Sequence, residues 1–309
     1  MHSAGAAVSA AEEQAQGFAT WGNVTSRGEV PCLRSGHEVA VLGNKAYLFG
    51  GYGGDGSKFG HLSDFYSYEF ETGKWRSLSH IPGGPSARTA FSMCAAPKNF
   101  LYIWGGADQN LEGLEDQAVY EFDAHHLQWR RLETYNRGIL GPSFFGRSAD
   151  YHRGRLLFFG GGMKGRGQVK GHFSNELVAL DLATLRWEAV RTAGERPTAR
   201  YKHQTCVVGD ALWVTGGGDY FPGAAFDAYV LDLRRCVWRR VAAAGPAPAP
   251  RAAHRMEYDP VTRALYVWGG FNADAASLAD FHRLDLRTLT WAPLGAGPGG
   301  GGNGGGGGG

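Results

Sequence analysis

The sequence predicts an all-β fold, a β-propeller with five complete four-stranded blades and an additional outer strand at its N-terminus. Three observations predict this fold. A glycine pair ends an apolar strand five times, a tryptophan follows an acidic residue by six positions five times, and these landmarks recur about every 50 residues. Units of four short strands bury their sheets against one another when they are arranged around an axis, which protects the sheet edges.

The tryptophan and the acid define the register of the repeat. A tryptophan is followed after thirteen positions by an arginine that opens the next unit, except that eighteen positions separate Trp129 from Arg147. Because the tryptophan recurs at one place in every unit, we expect the indole to pack between blades and not to bind a sugar. The predicted structural tryptophans are Trp21, Trp75, Trp129, Trp187, Trp238 and Trp291.

The first complete unit shows how the strands are expected to run. Residues 37–42 and 45–49 form a hairpin around the turn signal Gly43-Asn44, and residues 65–70 and 75–78 form the two outer strands. Later units follow the same order.

The two ends of the sequence define the predicted domain limits. Residues 1–17 and the glycine-rich residues 295–309 are expected to be disordered, and residues 18–294 to form the propeller. Residues 18–30 resemble the closing strand of a blade that lacks its first three strands. We therefore hypothesise an incomplete six-bladed ring in which Trp21 marks the sixth blade.

Composition argues against several classes of partner. The 31 basic and 29 acidic side chains leave a net charge of +2, which gives no reason to expect nucleic acid or a membrane as the main partner. The four cysteines have no metal-binding spacing, and the N-terminus lacks the pattern of a secretion signal. We expect a protein of the cytoplasm, the nucleus or both.

No catalytic motif is recognisable. The sequence lacks a Gly-x-Ser-x-Gly elbow and a Walker phosphate loop. His37, His203 and His254 occupy matching places in three units and could together ligate zinc or copper, which would make a metal-dependent enzyme the opposing functional class. Because histidine at this place belongs to the repeat pattern, we predict a structural role for it, no cofactor and no enzymatic activity.

The repeat resembles the kelch family. The resemblance rests on Arg-x-x-His, on the glycine pair after an aromatic strand and on the tryptophan six positions after an acid, and it spans about residues 18–294. The third to fifth units are most similar to kelch domain-containing substrate receptors of cullin-RING ubiquitin ligases, as seen in Pro142-Ser-Phe-Phe-Gly-Arg147 and Gly269-Gly-Phe-Asn272. Such receptors carry a helical box for the adaptor and cullin after the propeller, and none follows Leu294 in this sequence.

A partner is expected to bind the face that carries the loops after each glycine pair and the links that contain the opening arginines. These arginines should mainly pair with acids or carbonyls between blades. The resemblance implies that the residues beside them form a peptide-binding surface. The candidates are Arg34, Ser35, Arg88, Thr89, Arg147, Ser148, Arg200, Tyr201 and Arg251, with Ala252 beside the last arginine.

Further candidates lie where the units depart from the pattern. The loop of residues 107–116 is acidic and the loop of residues 163–172 is basic, through Lys164 and Arg166. Aromatic candidates are Phe144, Phe145, Tyr220 and Phe271, because aromatic residues are enriched in binding hot spots. The alternative interpretation is a pair of solvated loops that attract each other. If the basic loop binds the partner, Lys164→Glu with Arg166→Glu should abolish partner capture without unfolding the domain.

The sequence therefore predicts a non-enzymatic module that binds a peptide or protein on its loop face. The resemblance implies a substrate-recognition subunit of a ubiquitin ligase, with an adaptor and cullin as partners. A scaffold in signalling, the cytoskeleton or trafficking is the alternative.

Overall fold

The computed structural model describes residues 22, 24–56, 58–108, 110, 112–114, 116–140, 144–163, 171–218 and 226–296. In these residues the strands form five successive blades of four antiparallel strands, as the sequence predicts. Trp21 and the segments 1–17 and 297–309 lie outside the described residues. The domain limits based on them therefore stay predictions.

Blade 1 carries additional strands. Its elements are β1 (Arg27–Gly28), β2 (Arg34–Ser35), β3 (Glu38–Leu42), β4 (Lys45–Gly54), β5 (Phe59–Glu69) and β6 (Lys74–Ser77). Strands β3 to β6 form the blade, β1 runs parallel to β6, and β2 pairs with the far end of β4. Strand β5 begins at Phe59 and not at Phe65 as predicted, because β4 and β5 continue beyond the blade as a two-stranded ribbon.

Blades 2 and 3 follow the repeat. Blade 2 contains β7 (Ser92–Ala96), β8 (Phe100–Trp104), β9 (Val119–Asp123) and β10 (Gln128–Leu132), and a short 3-10 helix (Arg137–Leu140) follows it. Blade 3 contains β11 (Ser148–His152), β12 (Arg155–Phe159), β15 (Leu177–Asp181) and β16 (Arg186–Ala189), with the small hairpin of β13 (Gly162–Met163) and β14 (His172–Phe173) on its loop.

Blades 4 and 5 complete the ring. In blade 4, β17 (Ala193–Gly194) runs parallel to the outer strand, and the four blade strands are β18 (Gln204–Val208), β19 (Ala211–Thr215), β20 (Ala228–Asp232) and β21 (Val237–Arg240). Blade 5 contains β22 (Arg255–Asp259), β23 (Ala264–Trp268), β24 (Asp280–Asp285) and β25 (Thr290–Ala296).

In blades 2 to 5, the acid before the tryptophan holds the turn between the two outer strands. Asp181 Oδ1 accepts hydrogen bonds from the backbone N–H groups of Ala183 and Thr184 at 3.1 and 2.8 Å, and Asp123, Asp232 and Asp285 repeat the arrangement. The turn ends in a left-handed residue, for example Leu185 with φ of 55°. Side-chain capping of free N–H groups is the ordinary role of Asp in turns. This role explains the fixed acid-to-tryptophan spacing.

Trp129, Trp187, Trp238 and Trp291 pack between successive blades as predicted, whereas Trp75 contacts Tyr66 and Tyr68 of its own blade. Trp187 contacts Trp104 of blade 2 at a ring distance of 5.2 Å, and Trp238 contacts Phe159 of blade 3 at 5.3 Å. Both indoles are at most 2% exposed, and four apolar clusters of this kind join blades 1 to 2, 2 to 3, 3 to 4 and 4 to 5. Each of these four pairs of successive blades therefore shares an apolar core.

Blades 5 and 1 are joined differently. Arg255 of blade 5 binds Glu38 of blade 1 at 2.6 Å and donates to the carbonyl of His37 at 3.0 Å. Among the described residues, no apolar cluster links these two blades. The polar contact brings the inner strands of the first and last blades together, while the hypothesis of a sixth blade stays a prediction.

No helix in the part of the chain that the structure describes is long and apolar enough to cross a membrane.

Candidate functional site

The opening arginines are bound inside their own blades. Arg200 Nη1 donates to the carbonyl of Gly216, the first glycine of the pair, at 2.8 Å, and it binds Asp227 at 2.6 Å. Arg34, Arg88 and Arg251 donate to the carbonyls of Gly50, Gly105 and Gly269 and pair with Asp64, Asp116 and Asp280. The contacts are with acids and carbonyls as expected, but within a blade and not between blades.

Burial of these side chains limits their role in recognition. The side chains of Arg34, Arg88, Arg200 and Arg251 are at most 3% exposed. A partner would have to break a buried ion pair to reach a guanidinium, and breaking such a pair costs about 3–5 kcal/mol. The arginines therefore stabilise from inside the protein the face that carries the loops after the glycine pairs. We call this face the mouth of the propeller.

The register of the third unit differs from the predicted one. In blades 2, 4 and 5 the residue after the arginine forms a β-bridge with the residue after the glycine pair, as Tyr201 does with Gly218. In blade 3 the residue in that place is Phe145, which bridges to Gly162. Phe144 thus occupies the arginine position, and Arg147 occupies the position of His203 and His254 in the neighbouring units.

Arg147 nevertheless brings a guanidinium to the usual place. Its Cζ atom lies 4.8 Å from the centre of the Phe144 ring and 5.4 Å from that of Trp104. The residue is 6% exposed, and burial lowers its pKa to about 10. Among the described residues, Nε and Nη1 have no hydrogen-bond partner.

The corrected register changes the set of residues beside the arginines. The five equivalent residues are Ser35, Thr89, Phe145, Tyr201 and Ala252. Ser148 does not belong to this set, because its hydroxyl lies 3.1 Å from Nε2 of His203 in the contact between blades 3 and 4. Thr89 and Ala252 are buried, whereas the side chains at the other three places reach the surface.

One group of side chains at the mouth forms a continuous aromatic surface across blades 3 to 5. The ring of Tyr201 lies 5.2 Å from that of Phe173 and 6.2 Å from that of Phe145. The Nζ atom of Lys202 lies 5.2 Å from the Tyr201 ring and 4.9 Å from the Phe271 ring. All five residues are half-buried. We call this group, Phe145, Phe173, Tyr201, Lys202 and Phe271, the mouth patch.

The pKa shifts of Lys202 and Tyr201 agree with their half-buried positions in the mouth patch. Burial lowers the pKa of Lys202 and raises the pKa of Tyr201. An ammonium between two aromatic faces is stabilised by the ring quadrupoles, typically by about 0.5–2 kcal/mol. The patch therefore combines apolar area with a positive charge.

Two members of the mouth patch were absent from the predicted site. Lys202 holds a left-handed conformation, with φ of 54°, at a place where the other units have Gly36, Ala90, Gly146 and Ala253. A long basic side chain in a row of small residues is a signal that the sequence contains. Phe173 gave no comparable signal, because its approach to Tyr201 depends on the hairpin of β13 and β14.

The acidic loop of blade 2 is largely occupied by its own contacts. Asp108 Oδ1 accepts hydrogen bonds from the N–H groups of Asn110 and Glu112, and Asp116 binds Tyr120 and Arg131. Asp108 and Asp116 are therefore bound within blade 2, and a role of this loop in binding a partner stays a prediction. Lys164, Arg166 and Tyr220 lie outside the described residues, so their predicted roles stay predictions.

The three histidines lie in separate environments. His203 faces Ser148, and Nε2 of His254 lies 2.9 Å from the Thr215 hydroxyl. Burial lowers the pKa of both to about 3 and that of His37 to about 4, which keeps the imidazoles neutral. Within the described residues, no group of three His, Cys, Asp or Glu side chains is arranged to hold a metal ion.

Radial four-stranded blades with arginine-supported glycine pairs define a β-propeller of the kelch type. The family model described as the KLHDC2/KLHL20/DRC7 Kelch-repeats domain matches residues 36–226, and the chain belongs to this kelch-repeat family. Propellers of this family are typically non-enzymatic, and the fold indicates a protein-interaction module.

Curated relatives match most of the chain. It is 28% identical over 282 residues to Acyl-CoA-binding domain-containing protein 4 of Arabidopsis thaliana, covering 88% of this chain and 40% of that protein. It is 24% identical over 283 residues to human Kelch domain-containing protein 10, covering 86% of this chain and 61% of the relative. The chain thus spans less than two thirds of the length of either relative.

Proposed function

We propose that this chain is a non-enzymatic module that binds a peptide or protein through the mouth patch. The observation that carries the proposal is the contact of Lys202 with both Tyr201 and Phe271, which joins aromatic side chains of blades 4 and 5 into one surface. Aromatic residues and a desolvated positive charge are typical of the few residues that dominate binding energy. β-Bridges to Gly162, Gly218 and Ala252 hold the backbone of Phe145, Tyr201 and Phe271, so a partner meets a preorganised surface.

The proposed role of this module is substrate recognition in a ubiquitin ligase. Membership of the kelch-repeat family and the similarity to Kelch domain-containing protein 10 support the choice of an interaction protein. In this role the mouth patch holds the substrate, and an adaptor and cullin bind elsewhere on the full-length protein.

Affinity purification with mass spectrometry tests both the proposed binding surface and the proposed biological role. Proteins captured by the wild-type chain should be lost from the double variant Tyr201→Ala with Phe271→Ala. The matched control is Phe70→Ala, which removes a 51% exposed phenylalanine next to the turn between β5 and β6, on the opposite face. Equal capture by both variants would exclude the mouth patch.

The same purification, with the full-length protein as bait, distinguishes the two biological roles. Adaptor and cullin among the captured proteins would support the ligase role. Their absence, with capture still dependent on Tyr201 and Phe271, would indicate a scaffold.

A further inference from the structure

The outer hairpin of blade 4 concentrates positive charge on a short stretch of chain. The turn before β21 and β21 itself carry four arginines within seven residues, and all four side chains are exposed. They are Arg234, Arg235, Arg239 and Arg240. Their surroundings divide them into two pairs.

The first pair is neutralised by carboxylates of the same turns. Arg234 Nε binds Asp210 at 2.5 Å, and Arg235 Nη1 lies 3.9 Å from Asp232. Asp232 also caps the turn through the backbone N–H of Arg235. These two arginines therefore have acidic partners within blade 4.

The second pair has no such partner. Within the described residues, neither Arg239 nor Arg240 takes part in a side-chain hydrogen bond or an ion pair. Burial raises the pKa of Tyr229, Glu195 adds to this shift and Arg240 opposes it, which places both charges near the Tyr229 hydroxyl. No ion pair joins Glu195 to Arg240 in the described part of the chain.

Blade 2 has arginines in the same two places, and there they are paired. Arg130 and Arg131 hold the register positions of Arg239 and Arg240. Their partners are Glu121 at 2.7 Å, Asp116 at 3.2 Å and Glu133 at 3.1 Å.

The comparison identifies what blade 4 lacks. Glu121 faces Arg130 across the strand pair, whereas Val230 faces Arg239. The positive charge that blade 2 satisfies internally is therefore left open to solvent on blade 4.

The unpaired arginines lie at the free end of an edge strand. The link before blade 4 pairs with Val237 and Trp238, and the N–H of Glu195 donates to the Trp238 carbonyl. Among the described residues, the link makes no backbone hydrogen bond with β21 beyond this point. Because successive side chains of a strand point to opposite faces, Arg239 and Arg240 flank the uncovered edge from its two sides.

We propose that the β21 edge at Arg239 and Arg240 is a second interaction surface, which binds an extended acidic segment of a protein partner. A chain that lies along an edge strand presents side chains to both faces, so it brings a carboxylate beside each guanidinium. Guanidinium and carboxylate form strong charge-assisted hydrogen bonds. Val237, which is 41% exposed and lies on the same side of the strand as Arg239, adds apolar contact.

The same surface fits other anionic partners less well. The aromatic residues of the hairpin, Tyr229 and Trp238, are buried, which leaves no platform on which nucleic-acid bases could stack. Two unpaired cations fall short of the cluster of about four to eight that marks binding to an anionic membrane.

Fluorescence anisotropy of the full chain with a fluorescein-labelled oligoglutamate peptide tests the proposal. Binding should be saturable, absent for a labelled oligolysine, and several-fold weaker when the ionic strength rises from about 0.05 to about 0.3 M. Arg239→Gln with Arg240→Gln should weaken it by about five-fold or more, because the open charge is removed.

Two matched variants define the surface. Arg130→Gln with Arg131→Gln alters the same places on blade 2 and should change the affinity by less than about two-fold, because those charges are already paired. Tyr201→Ala with Phe271→Ala should bind the probe like the wild type, which separates the β21 edge from the mouth patch.

Several results would overturn the proposal. They are no saturable binding of oligoglutamate by the wild type, equal losses in the blade 2 and blade 4 variants, or loss of binding in the mouth-patch variant. Tighter binding of a single-stranded oligonucleotide or of phosphatidylserine vesicles would assign the arginines to nucleic acid or a membrane. Self-association of the blade 4 variant, without oligoglutamate binding by the wild type, would assign them to protection of the strand edge. The wild-type measurement stands even if a variant does not fold.

Discussion

The guanidinium of Arg147 stacks on the ring of Phe144, three residues earlier, at 4.8 Å, and so replaces the arginine that the other four blades carry at the Phe144 position. In those blades the guanidinium is anchored by a carboxylate and a glycine carbonyl. In blade 3 it is held largely by aromatic faces, and Nε and Nη1 have no partner among the described residues.

Replacement of Arg147 should therefore cost less stability than replacement of a paired arginine. Arg200→Met leaves Asp227 without its cation and should lower the free energy of unfolding by about 3–5 kcal/mol. Arg147→Met removes an under-paired buried charge and loses a cation–π contact of about 1–2 kcal/mol. Denaturant unfolding of both variants measures the difference, and equal losses would contradict this assignment.

The closing tryptophans should differ in importance according to the core that each one fills. Trp187→Ala removes a fully buried indole and should destabilise the protein by about 3–5 kcal/mol. Trp75 is half-buried and contacts Tyr66 and Tyr68 of its own blade, so Trp75→Ala should cost less than half as much. Thermal unfolding midpoints of the two variants provide the comparison.

The second glycine of each pair should tolerate no side chain. Gly51 has φ of 97°, and a Cβ atom would lie 2.6 Å from the carbonyl oxygen of Ser35, whereas Gly43 has φ of 58° and open space around it. Gly43→Ala should cost about 1–2 kcal/mol through its left-handed backbone alone. Gly51→Ala should cost clearly more, because it adds an overlap with backbone. Similar unfolding free energies for the two variants would contradict the steric argument.

The pH dependence of stability should reveal Asp150. Burial raises the pKa of this carboxyl to about 6, despite the hydrogen bond that the Thr205 hydroxyl donates to it at 2.5 Å. The folded state therefore keeps the proton where the unfolded state has lost it. The resulting stability is complete below about pH 4 and is lost as the pH rises through about 6.

Asp150→Asn should remove this contribution while keeping an acceptor for Thr205. The difference in unfolding free energy between variant and wild type, measured from pH 4 to pH 8, should shift in favour of the variant by on the order of 2 kcal/mol. The buried His203 and His254 change stability in the opposite direction, but they are present in both proteins and cancel. A difference that is flat with pH would show that Asp150 has an ordinary pKa in the folded state.

The repeat itself could be predicted from the sequence because its signals are local. Each feature of the repeat requires a particular residue type at one position. These features are the acid that caps a turn, the glycine pair in left-handed backbone and the tryptophan at a fixed distance from the acid. The third unit was the exception. The prediction took Arg147 as the opening arginine from its residue type, whereas the bridge of Phe145 to Gly162 shows that backbone pairing defines the position.

The mouth patch depends on contacts between blades and was predicted only in part. Phe145 and Phe271 were candidates because they are aromatic, and Tyr201 was a candidate because it follows an opening arginine. They form one continuous surface only through Lys202, which contacts Phe271 in the next blade. The spacing of residues along the sequence cannot show such a contact, because the arrangement of blades 4 and 5 around the propeller axis brings the two residues together.

The shared cores also determine how the propeller can be divided. Leu157 and Phe159 of blade 3 complete their packing on Leu212 and Trp238 of blade 4, so a blade cut out of the ring would present two bare apolar sheet faces to water. A fragment must therefore end where the native ring ends, and mutations in one unit should disturb its neighbours before they disturb the rest. Fusion partners and inserted tags belong on turns such as Gly43-Asn44, where the space around Gly43 is open.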